Sequence, residues 1–401
     1  MTSYPPLRLL PSRHKRVAHG HPWIFSNEIQ MDAPTKALPA GALVRVLTHD
    51  GVALGVASFN PHSLIAGRLF SRDGTAVIDQ GFVEARLRAA LALRDRLYNR
   101  PFYRLIHAEA DGLPGLIVDR YGDVLVVQAN SAGVDRLLPT LQAAWNTVLD
   151  PQATVLKLDS PARALEGLPD GDTTLTPDSR NPARVQDGLS LEENGGIFFA
   201  DPLGGQKTGW FYDQRDNRAF IAALSSGARV IDLYTYHGGF AVQCARAGAA
   251  TVVAVDRSEA ALHQAARAAS ANGVGDRVSV RRAEVFAELE RLVAVRERYE
   301  VVIADPPAFV KSRKDLQAGL RGYRKLAKLA ATITAPGGFL LMGSCSHNVE
   351  PAVFAETVAA GLGDAGRSGR ILRSAGAGPD HPVHPLLPES AYLKALVYQL
   401  D

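Results

Sequence analysis

The run YEVVIADPP, residues 299–307, decides the predicted fold of this chain. Its first five residues are largely apolar and rich in β-branched side chains, which is typical of a strand buried inside a parallel sheet. Asp305 is therefore expected at the carboxyl end of that strand, where open α/β sheets bind ligands. Pro306 and Pro307 remove backbone donors and stiffen the loop, which favours an Asp305 side chain fixed toward a cleft. The alternative is that Asp-Pro-Pro only ends the strand.

A second apolar run, GGFLLMGSCSHN at residues 337–348, predicts another strand of the same sheet. It delivers Cys345 to the same carboxyl edge as Asp305, so an acid and a thiol would face one cleft. Serines on both sides of the cysteine indicate a polar edge and favour a catalytic thiol. A buried, inert cysteine is the alternative. Cys244 lies on an apolar helical stripe and is predicted to be core.

Strands and helices alternate around these two runs, which specifies a parallel, doubly wound sheet. The predicted fold class is α/β with a Rossmann-like, mostly parallel sheet, and its last two strands suit an antiparallel edge. The predicted strands are RVIDLYT (229–235), TVVAVD (251–256), RVSVRRA (277–283), YEVVIAD (299–305), GGFLLMGS (337–344), RILRSA (370–375) and YLKALVYQL (392–400).

The N-terminal half contains shorter elements. VRVLTHDGVALGVASFN (44–60) alternates apolar and polar residues around Asp50-Gly51, a strong hairpin signal. An amphipathic helix is predicted over 79–98, and a surface loop rich in Pro, Gly, Asp and Thr over 161–184. The predicted domains are a small β-rich domain (1–75), a central α+β domain (76–195) and the parallel-sheet domain (196–401).

The first 75 residues also carry side chains that suit contact with a nucleic acid. Basic groups can meet phosphates, and Trp23 and Phe25 could stack on bases. A solvated face with two core aromatics explains the same residues equally well. The basic side chains are Arg8, Arg13, Lys15, Arg16, Arg45, Arg68 and Arg72, with His14, His19 and His21.

Composition limits the class of protein. A chain of 401 residues, 46% hydrophobic, can form two or three domains with real cores. No apolar run approaches the ~20 residues that span a bilayer, so we expect a soluble, cytoplasmic protein without membrane contact. Two cysteines cannot supply a disulfide framework or a four-ligand zinc site, and we predict no metal. The net charge of +3 permits a polyanionic partner without demonstrating one.

The turn VIDLYTYHGGFA (230–241) predicts a cofactor site. Asp232 ends a strand, and Gly238-Gly239 opens a helix where a missing Cβ lets the backbone approach a ligand. The spacing differs from Gly-x-Gly-x-x-Gly, so a dinucleotide is not favoured. Asp256 closes the next strand, where a carboxylate can accept both hydroxyls of a ribose. Together these residues favour an adenosine ligand without phosphates, most commonly S-adenosylmethionine; a tight turn with a capping Asp is the alternative.

A catalytic Cys345 would suit methylation of cytosine at carbon 5. That carbon is a poor nucleophile, so an enzyme thiolate must first add at carbon 6; carbon 5 then attacks the methyl group, a base removes the carbon-5 proton, and the thiol leaves. A strand-end acid such as Asp305 can hydrogen-bond the ring edge. A free thiol of pKa ~8.5 is only slightly ionised near neutrality, so the site must assist ionisation.

With these residues identified, the chain resembles the PUA-domain cytosine-C5 methyltransferases of large-subunit ribosomal RNA over nearly its whole length. The resemblance implies a Rossmann-like class I methyltransferase domain preceded by a PUA-like RNA-binding domain and a central α+β domain. The similar blocks are HGHPWIFSNEI (19–29), EADGLPGLIVDRYGDVLVVQ (109–128), KTGWFYDQRDNR (207–218), the glycine turn (236–240), DPPAFVKSRKDL (305–316), LRGYRKL (320–326), SCS (344–346) and DHPV (380–383).

The resemblance also implies roles for individual residues. Cys345 would be the nucleophile, Asp305 would assist at the ring, and RNA contact would fall to the N-terminal module. The residues implied to hold S-adenosylmethionine are Asp232, Gly238, Gly239, Asp256, Glu284, Gln214 and Arg215.

The chain departs from the family pattern at four places. His237 stands where Thr is usual, and Glu284 stands where an Asp often reads the adenine amine. Segment 157–168 is less charged than expected, which leaves open whether the central domain positions RNA. Ala308 follows the two prolines in place of a second cysteine, so product release must rely on a different base.

The leading hypothesis is a cytosine-C5 methyltransferase with ribosomal RNA as its partner; a homodimer is left open. One alternative is a related enzyme that methylates a guanine nitrogen, for which Cys345 would be incidental. Another is a non-catalytic, PUA-type RNA-binding assembly factor. A nicotinamide dehydrogenase is disfavoured by the glycine spacing and by Asp-Pro-Pro.

Overall fold

The computed structural model describes residues 4–186 and 188–401, which form two compact units. The first unit comprises Met1–Leu189, Asp201–Gly209 and Pro379–Ser390, and the second comprises Ser190–Ala200, Trp210–Gly378 and Ala391–Asp401. The division into three domains at residues 75 and 195 stays a prediction.

The first unit begins with a small sheet. Its elements are β1 (Pro6–Arg8), α1 (Lys15–Ala18), β2 (Trp23–Ile24), α2 (Ala33–Lys36), β3 (Ala42–Leu47), β4 (Ala53–Phe59) and β5 (Gly67–Ser71). The strands lie in the order β1-β3-β4-β5-β2, with β1 parallel to β3 and the other pairs antiparallel. β3 and β4 pair around Asp50-Gly51, where Gly51 has a φ of +94°. The hairpin signal therefore predicted this pairing correctly.

A second five-stranded sheet completes the first unit. Its elements are α3 (Gln80–Leu97), β6 (Phe102–His107), β7 (Leu116–Tyr121), β8 (Val124–Ala129), α4 (Ala132–Leu149), β9 (Ala153–Lys157), α5 (Pro161–Leu165) and β10 (Thr173–Leu175). The strand order is β10-β9-β8-β7-β6. The apolar faces of α3 and α4 pack on this sheet, and the fully buried Trp145 of α4 lies in that core.

The prediction that residues 161–184 form a surface loop is wrong in part. The segment contains α5 and β10, and β10 pairs antiparallel with β9. Arg163 is 2% exposed, and it donates hydrogen bonds to Asp135 (2.5 Å) and to the Ala129 carbonyl (2.9 Å). Composition alone predicts a loop because it does not reveal that Arg163 is buried and bonded to the partly exposed Asp135 of α4.

The chain from residue 189 onward contains the largest sheet. Its elements are β11 (Leu189–Glu193), β12 (Gly196–Ala200), α6 (Arg215–Ala223), β13 (Arg229–Leu233), α7 (Gly239–Arg246), β14 (Thr251–Asp256), α8 (Glu259–Ala271), β15 (Val278–Arg282), α9 (Val285–Ala294), β16 (Tyr299–Ala304), α10 (Leu316–Ile333), β17 (Thr334–Ser344), α11 (Pro351–Asp364), β18 (Gly369–Ala375) and β19 (Lys394–Leu400). β11 and β12 form a separate two-stranded sheet.

The seven-stranded sheet has the order β15-β14-β13-β16-β17-β19-β18. Its first five strands are mutually parallel, and β19 runs antiparallel to both of its neighbours. The predicted α/β fold with an antiparallel edge is therefore confirmed. The strand order reverses between β13 and β16, which is the point where sheets of this type bind ligands at their carboxyl ends.

One face of this sheet is covered by α9, α10 and α11, which share a hydrophobic core with the central strands. Phe354 of α11 is fully buried, and its ring meets the Tyr323 ring edge-on with centroids 5.3 Å apart. Tyr323 belongs to α10 and is also fully buried. This aromatic pair joins two helices behind the carboxyl edge of β17.

We predict that Phe354→Ala lowers the free energy of unfolding by about 3–5 kcal/mol, because it removes a buried ring and leaves a cavity. Chemical denaturation of the purified full chain measures the change. Glu356→Ala, an exposed position on the same helix, is the control and should change stability by less than about 0.5 kcal/mol. Equal effects of the two substitutions would show that the ring is not part of a tightly packed core.

Candidate active site

Three strands of the second unit end side by side. Leu233 of β13, Ala304 of β16 and Met342 of β17 are in register across the parallel pairs. Asp305 and Gly343 follow the last two of these residues, so the acid lies beside the glycine. A Cβ at residue 343 would come within 2.2 Å of Asp305 Oδ1. Glycine is therefore required at this position for the Asp305 carboxylate to lie against β17.

The Asp305 carboxylate is held by an amide network. Gln214 Nε2 donates to Asp305 Oδ2 (2.8 Å), and Asn217 Nδ2 donates to Gln214 Oε1 (2.7 Å). Asn217 Nδ2 also donates to the Gly376 carbonyl (3.3 Å), and Arg373 Nε donates to Asn217 Oδ1 (3.4 Å). Because a carbonyl only accepts and a guanidinium only donates, both amides have one consistent orientation, and Asp305 Oδ2 must accept.

Cys345 follows the last residue of β17 and is partly exposed. The flanking Ser344 and Ser346 are fully buried, and both hydroxyls lie within hydrogen-bond distance of the Tyr323 phenol (2.9 and 2.8 Å). Ser346 Oγ also accepts from the Val310 amide (3.2 Å). The two serines thus anchor the strand end from within the protein, while the thiol between them is the accessible group.

Asp232 lies within β13 and is 1% exposed. Its Oδ2 accepts from Thr235 Oγ1 (2.5 Å) and from the Ala241 amide (3.0 Å). In the part of the chain that the structure describes, Oδ1 is buried without a hydrogen-bond partner. Burial raises the pKa of Asp232 to about 7, and the nearby charge of Asp305 adds to this effect.

The glycine turn after β13 contains left-handed backbone. Tyr234, Tyr236 and Gly238 have φ values of +64°, +51° and +79°. A Cβ at Gly238 would come within 2.9 Å of Ala265 Cβ. A Cβ at Gly239 would come within 2.5 Å of Arg218 Nε. Both glycines are thus required for close packing inside the protein, and their contact with a ligand stays a prediction.

Asp256 ends β14, and Glu284 follows the neighbouring strand β15. Asp256 Oδ2 accepts from the Tyr236 amide (3.0 Å) and its Oδ1 from the Ser258 amide (2.9 Å). Glu284 caps α9, with Oε2 accepting from the Ala287 amide (3.0 Å). Each carboxylate oxygen can accept more than one hydrogen bond, so both residues can still accept a hydrogen bond from a ligand. Burial and the charges of Glu284 and Asp256 raise the pKa of Tyr234, which lies close to both acids.

Arg215 and His237 have well-defined partners inside the second unit. Arg215 is 8% exposed, with Nε 3.7 Å from Glu193 Oε2, and its guanidinium lies over the Tyr212 ring. His237 Nδ1 lies 2.8 Å from the Phe199 carbonyl, and its ring stacks on Tyr236. These contacts position the turn, and a role for Arg215 in cofactor binding stays a prediction.

Several side chains proposed for RNA contact are bonded within the first unit. Arg68 forms ion pairs with Glu109 (2.9 Å) and Glu166 (3.0 Å), and Trp23 Nε1 donates to Glu109 (2.7 Å). Arg16 pairs with Glu28. The exposed basic side chains of the predicted set are therefore the better candidates: Arg8, Arg13, Lys15, His19, Arg45 and Arg72.

Sequence reasoning missed three residues at this sheet edge: Asn217, Tyr323 and Lys394. Asn217 and Tyr323 lie inside the blocks KTGWFYDQRDNR and LRGYRKL. The resemblance therefore marked these segments but did not indicate what the two residues do. Lys394 Nζ donates to the carbonyls of Ser346 (2.6 Å) and Val349 (2.9 Å). No feature of the C-terminal strand indicated that this lysine lies behind the cysteine loop.

Two family models match the chain. One, described as a PUA-like domain, matches residues 7–72, and the other, described as an S-adenosylmethionine-dependent methyltransferase, matches residues 177–399. The chain is therefore a methyltransferase that uses S-adenosylmethionine and carries a PUA-like domain. No helix among the described residues is both long and apolar enough to cross a membrane.

Curated relatives match over nearly the whole length. The protein named Ribosomal RNA large subunit methyltransferase I from Aeromonas hydrophila subsp. hydrophila is 36% identical over 401 residues, covering 97% of this chain and 98% of the relative. The protein of the same name from Photobacterium profundum is 36% identical, covering 96% and 97%. The chain belongs to the family of ribosomal RNA large subunit methyltransferase I proteins.

Solved structures confirm the fold. A Streptococcus mutans protein described as an S-adenosylmethionine-dependent methyltransferase superposes with a TM-score of 0.82 at 20% identity, covering 98% of this chain and all of that one. A second structure, described as a methyltransferase complexed with SAH, gives the same TM-score at 19% identity, covering 98% of this chain and 100% of that one.

We predict that Asp232 makes stability fall as pH rises. Its folded pKa of about 7 lies above the unfolded value of about 3.9, so between these values the folded state binds more protons. The measured quantity is the difference in the free energy of unfolding between the wild type and Asp232→Asn. Relative to the variant, the wild type should lose on the order of 2–3 kcal/mol of stability from pH 5 to pH 8. Urea denaturation of dialysed protein at both pH values measures it. A difference that does not change with pH would contradict the shifted carboxyl.

Proposed function

We propose that the chain forms 5-methylcytosine in large-subunit ribosomal RNA through a covalent adduct of Cys345. One observation carries the proposal: Cys345, which is partly exposed, and the Asp305 carboxylate follow adjacent parallel strands at the carboxyl edge of the sheet. A nucleophile and an acid so placed can address two positions of one base.

The ribosomal substrate is supported by the curated relatives, whose name specifies large-subunit ribosomal RNA, and by the PUA-like domain. The exposed basic residues of that domain offer phosphate contacts, which suit any RNA. The choice of cytosine is supported by the chemistry of the site. Methylation of a guanine nitrogen requires no thiol, whereas carbon 5 of cytosine becomes nucleophilic only after a thiolate has added at carbon 6.

S-adenosylmethionine supplies an electrophilic methyl group and an adenosine moiety. The residues fit such a ligand: Asp232 Oδ1 is a buried acceptor without a partner among the described residues, which suits an amine donor. Asp256 ends β14, the strand beside β13, where a carboxylate suits ribose hydroxyls. We assign Asp232, Asp256, Glu284, Arg215 and the Gly238-Gly239 turn to this site.

The reaction is balanced in two stages. The Cys345 thiolate would add to carbon 6 of cytosine, which makes carbon 5 enamine-like. Carbon 5 would then bond to the methyl group as the bond between that methyl group and the sulfonium breaks, leaving S-adenosylhomocysteine. A base then takes the carbon-5 proton, the bond between sulfur and carbon 6 breaks, and the thiolate is regenerated. Asp305 binds the polar edge of the ring, and the donation from Gln214 to Oδ2 fixes the carboxylate.

We predict that Cys345→Ala lowers kcat by at least about a thousandfold while leaving S-adenosylmethionine affinity within about threefold, because only the covalent step is lost. The assays are methyl transfer to ribosomal RNA and calorimetric titration of the cofactor. RNA containing 5-fluorocytosine should trap the wild type covalently. Release of the enzyme requires a base to remove the proton at carbon 5, and a fluorine atom at that position cannot be removed in this way.

Cys244→Ala is the matched control. Cys244 is fully buried in α7, and burial raises the pKa of its thiol to about 12. This variant should still form the trapped complex. Normal turnover by Cys345→Ala, or a methylated guanine as the product, would refute the cytosine mechanism.

We predict that Gln214→Glu lowers kcat by roughly 10- to 100-fold near pH 8, because a second carboxylate would then face Asp305 Oδ2. The pair would share one proton, so part of the activity should return at lower pH. The pH profile of kcat measures this effect. Asp216→Asn, an exposed neighbour, is the control. A raised KM for S-adenosylmethionine with unchanged kcat would instead place Gln214 solely in the cofactor site.

A further inference from the structure

A buried lysine lies directly behind the loop that carries Cys345. Lys394 opens β19 and pairs with Ser344, the last residue of β17, in the antiparallel register. The lysine is 7% exposed. Its Nζ donates to the carbonyls of Ser346 (2.6 Å) and Val349 (2.9 Å), so the ammonium is fixed on the turn that follows the cysteine.

The charge of this ammonium is not neutralised by an ion pair in the part of the chain that the structure describes. A buried charge needs an opposite charge or full hydrogen bonding, and two carbonyl oxygens supply only partial compensation. Among the described residues, no acid forms an ion pair with Lys394. Burial lowers the pKa of Lys394 from its ordinary value, and the nearby Cys345 and Glu350 oppose this effect by favouring the charged form.

We propose that Lys394 is a positioning residue that stabilises the thiolate of Cys345. The inference rests on the proposed function, which requires a thiolate, and it supplies the assistance that an ordinary thiol lacks near neutrality. A fixed positive charge close to a cysteine favours the ionised form, and the Lys394 ammonium is held on the carbonyl of Ser346, the residue that follows the cysteine.

Other ionisable groups around the cysteine come from four elements. The Tyr323 phenol of α10 lies near Cys345, and burial raises its pKa, so it remains a neutral donor. Asp305 after β16 and Glu350 at the start of α11 are acids, which would disfavour a thiolate. His347 stacks on Tyr392. Lys311 is exposed, and its backbone carbonyl accepts from Asn348 Nδ2. Lys394 differs from these groups because it is a buried cation bonded to the cysteine loop.

The test measures ionisation of Cys345 without RNA or cofactor. Alkylation by iodoacetamide is followed from pH 5.5 to 10 in the full chain, and the Cys345 peptide is quantified by mass spectrometry. In the wild type we expect the pH midpoint of the alkylation rate to lie below ~8.5, the ordinary pKa of a cysteine thiol. In Lys394→Met the midpoint should rise, with alkylation at pH 7 roughly tenfold slower. Lys394→Arg should restore part of the rate, because it retains the charge.

The matched control is Lys157→Met in the first unit. Lys157 is 1% exposed and also donates to two carbonyls, those of Gly205 (3.0 Å) and Pro202 (3.4 Å). Its loss tests the general effect of removing a buried lysine, and the Cys345 midpoint should not change. A wild-type midpoint at or above ~8.5 would overturn the proposal without any variant, which covers the case in which Lys394→Met does not fold.

The inference and the proposed function fail in different ways. An ordinary thiol midpoint combined with a 5-fluorocytosine adduct would overturn the role of Lys394 alone. The opposite result is a lowered alkylation midpoint that depends on Lys394, without an adduct and without 5-methylcytosine. It would support the effect of Lys394 on the thiol and refute the cytosine reaction. Equal midpoints in the wild type and a folded Lys394→Met variant would also overturn the inference.

Discussion

The candidate site depends on the register of two parallel strands. β16 and β17 pair so that Ala304 lies beside Met342, which sets Asp305 against Gly343. The carboxylate fits there because residue 343 has no Cβ. Two residues later the chain leaves the sheet at Cys345. A shift of one residue in either strand would turn the side chains of that strand to the opposite face of the sheet, so the hydrophobic pattern that fixes the register also fixes where the acid and the thiol lie relative to each other.

Polar groups at this edge are stabilised from behind the sheet. Asp305 is bonded to Gln214, the serines beside Cys345 meet Tyr323, and the loop after the cysteine is bonded to Lys394. Buried polar groups are costly unless satisfied, and these partners come from α10, β19 and the segment before α6. Folding of the second unit therefore assembles the supporting contacts before any ligand binds, which is how a site can be preorganised.

Local sequence patterns predicted the ends of strands well and long-range partners poorly. Asp305 and Cys345 could be placed because each directly follows an apolar run, and strand ends meet at one edge. Lys394 could not, because its position depends on the antiparallel register of β19 with β17. Gly238 and Gly239 were predicted to let the backbone approach a ligand, which stays a prediction; the side chains that pack closely against these two glycines are Ala265 and Arg218, which only tertiary packing reveals. The short helix within 161–184 was missed for the same reason: its ion pair joins residues far apart in sequence.

Environment, more than residue type, distinguishes the ionisable groups of this edge. Asp232 is 1% exposed, and burial raises its pKa to about 7, while its Oδ1 has no hydrogen-bond partner among the described residues. Asp305 accepts a hydrogen bond from the Gln214 amide, whose orientation is fixed by Asn217. The loop after Cys345 accepts hydrogen bonds from the buried ammonium of Lys394. Three groups at one edge of the sheet thus have three different surroundings, which allows the protein to tune the acidity of each group separately.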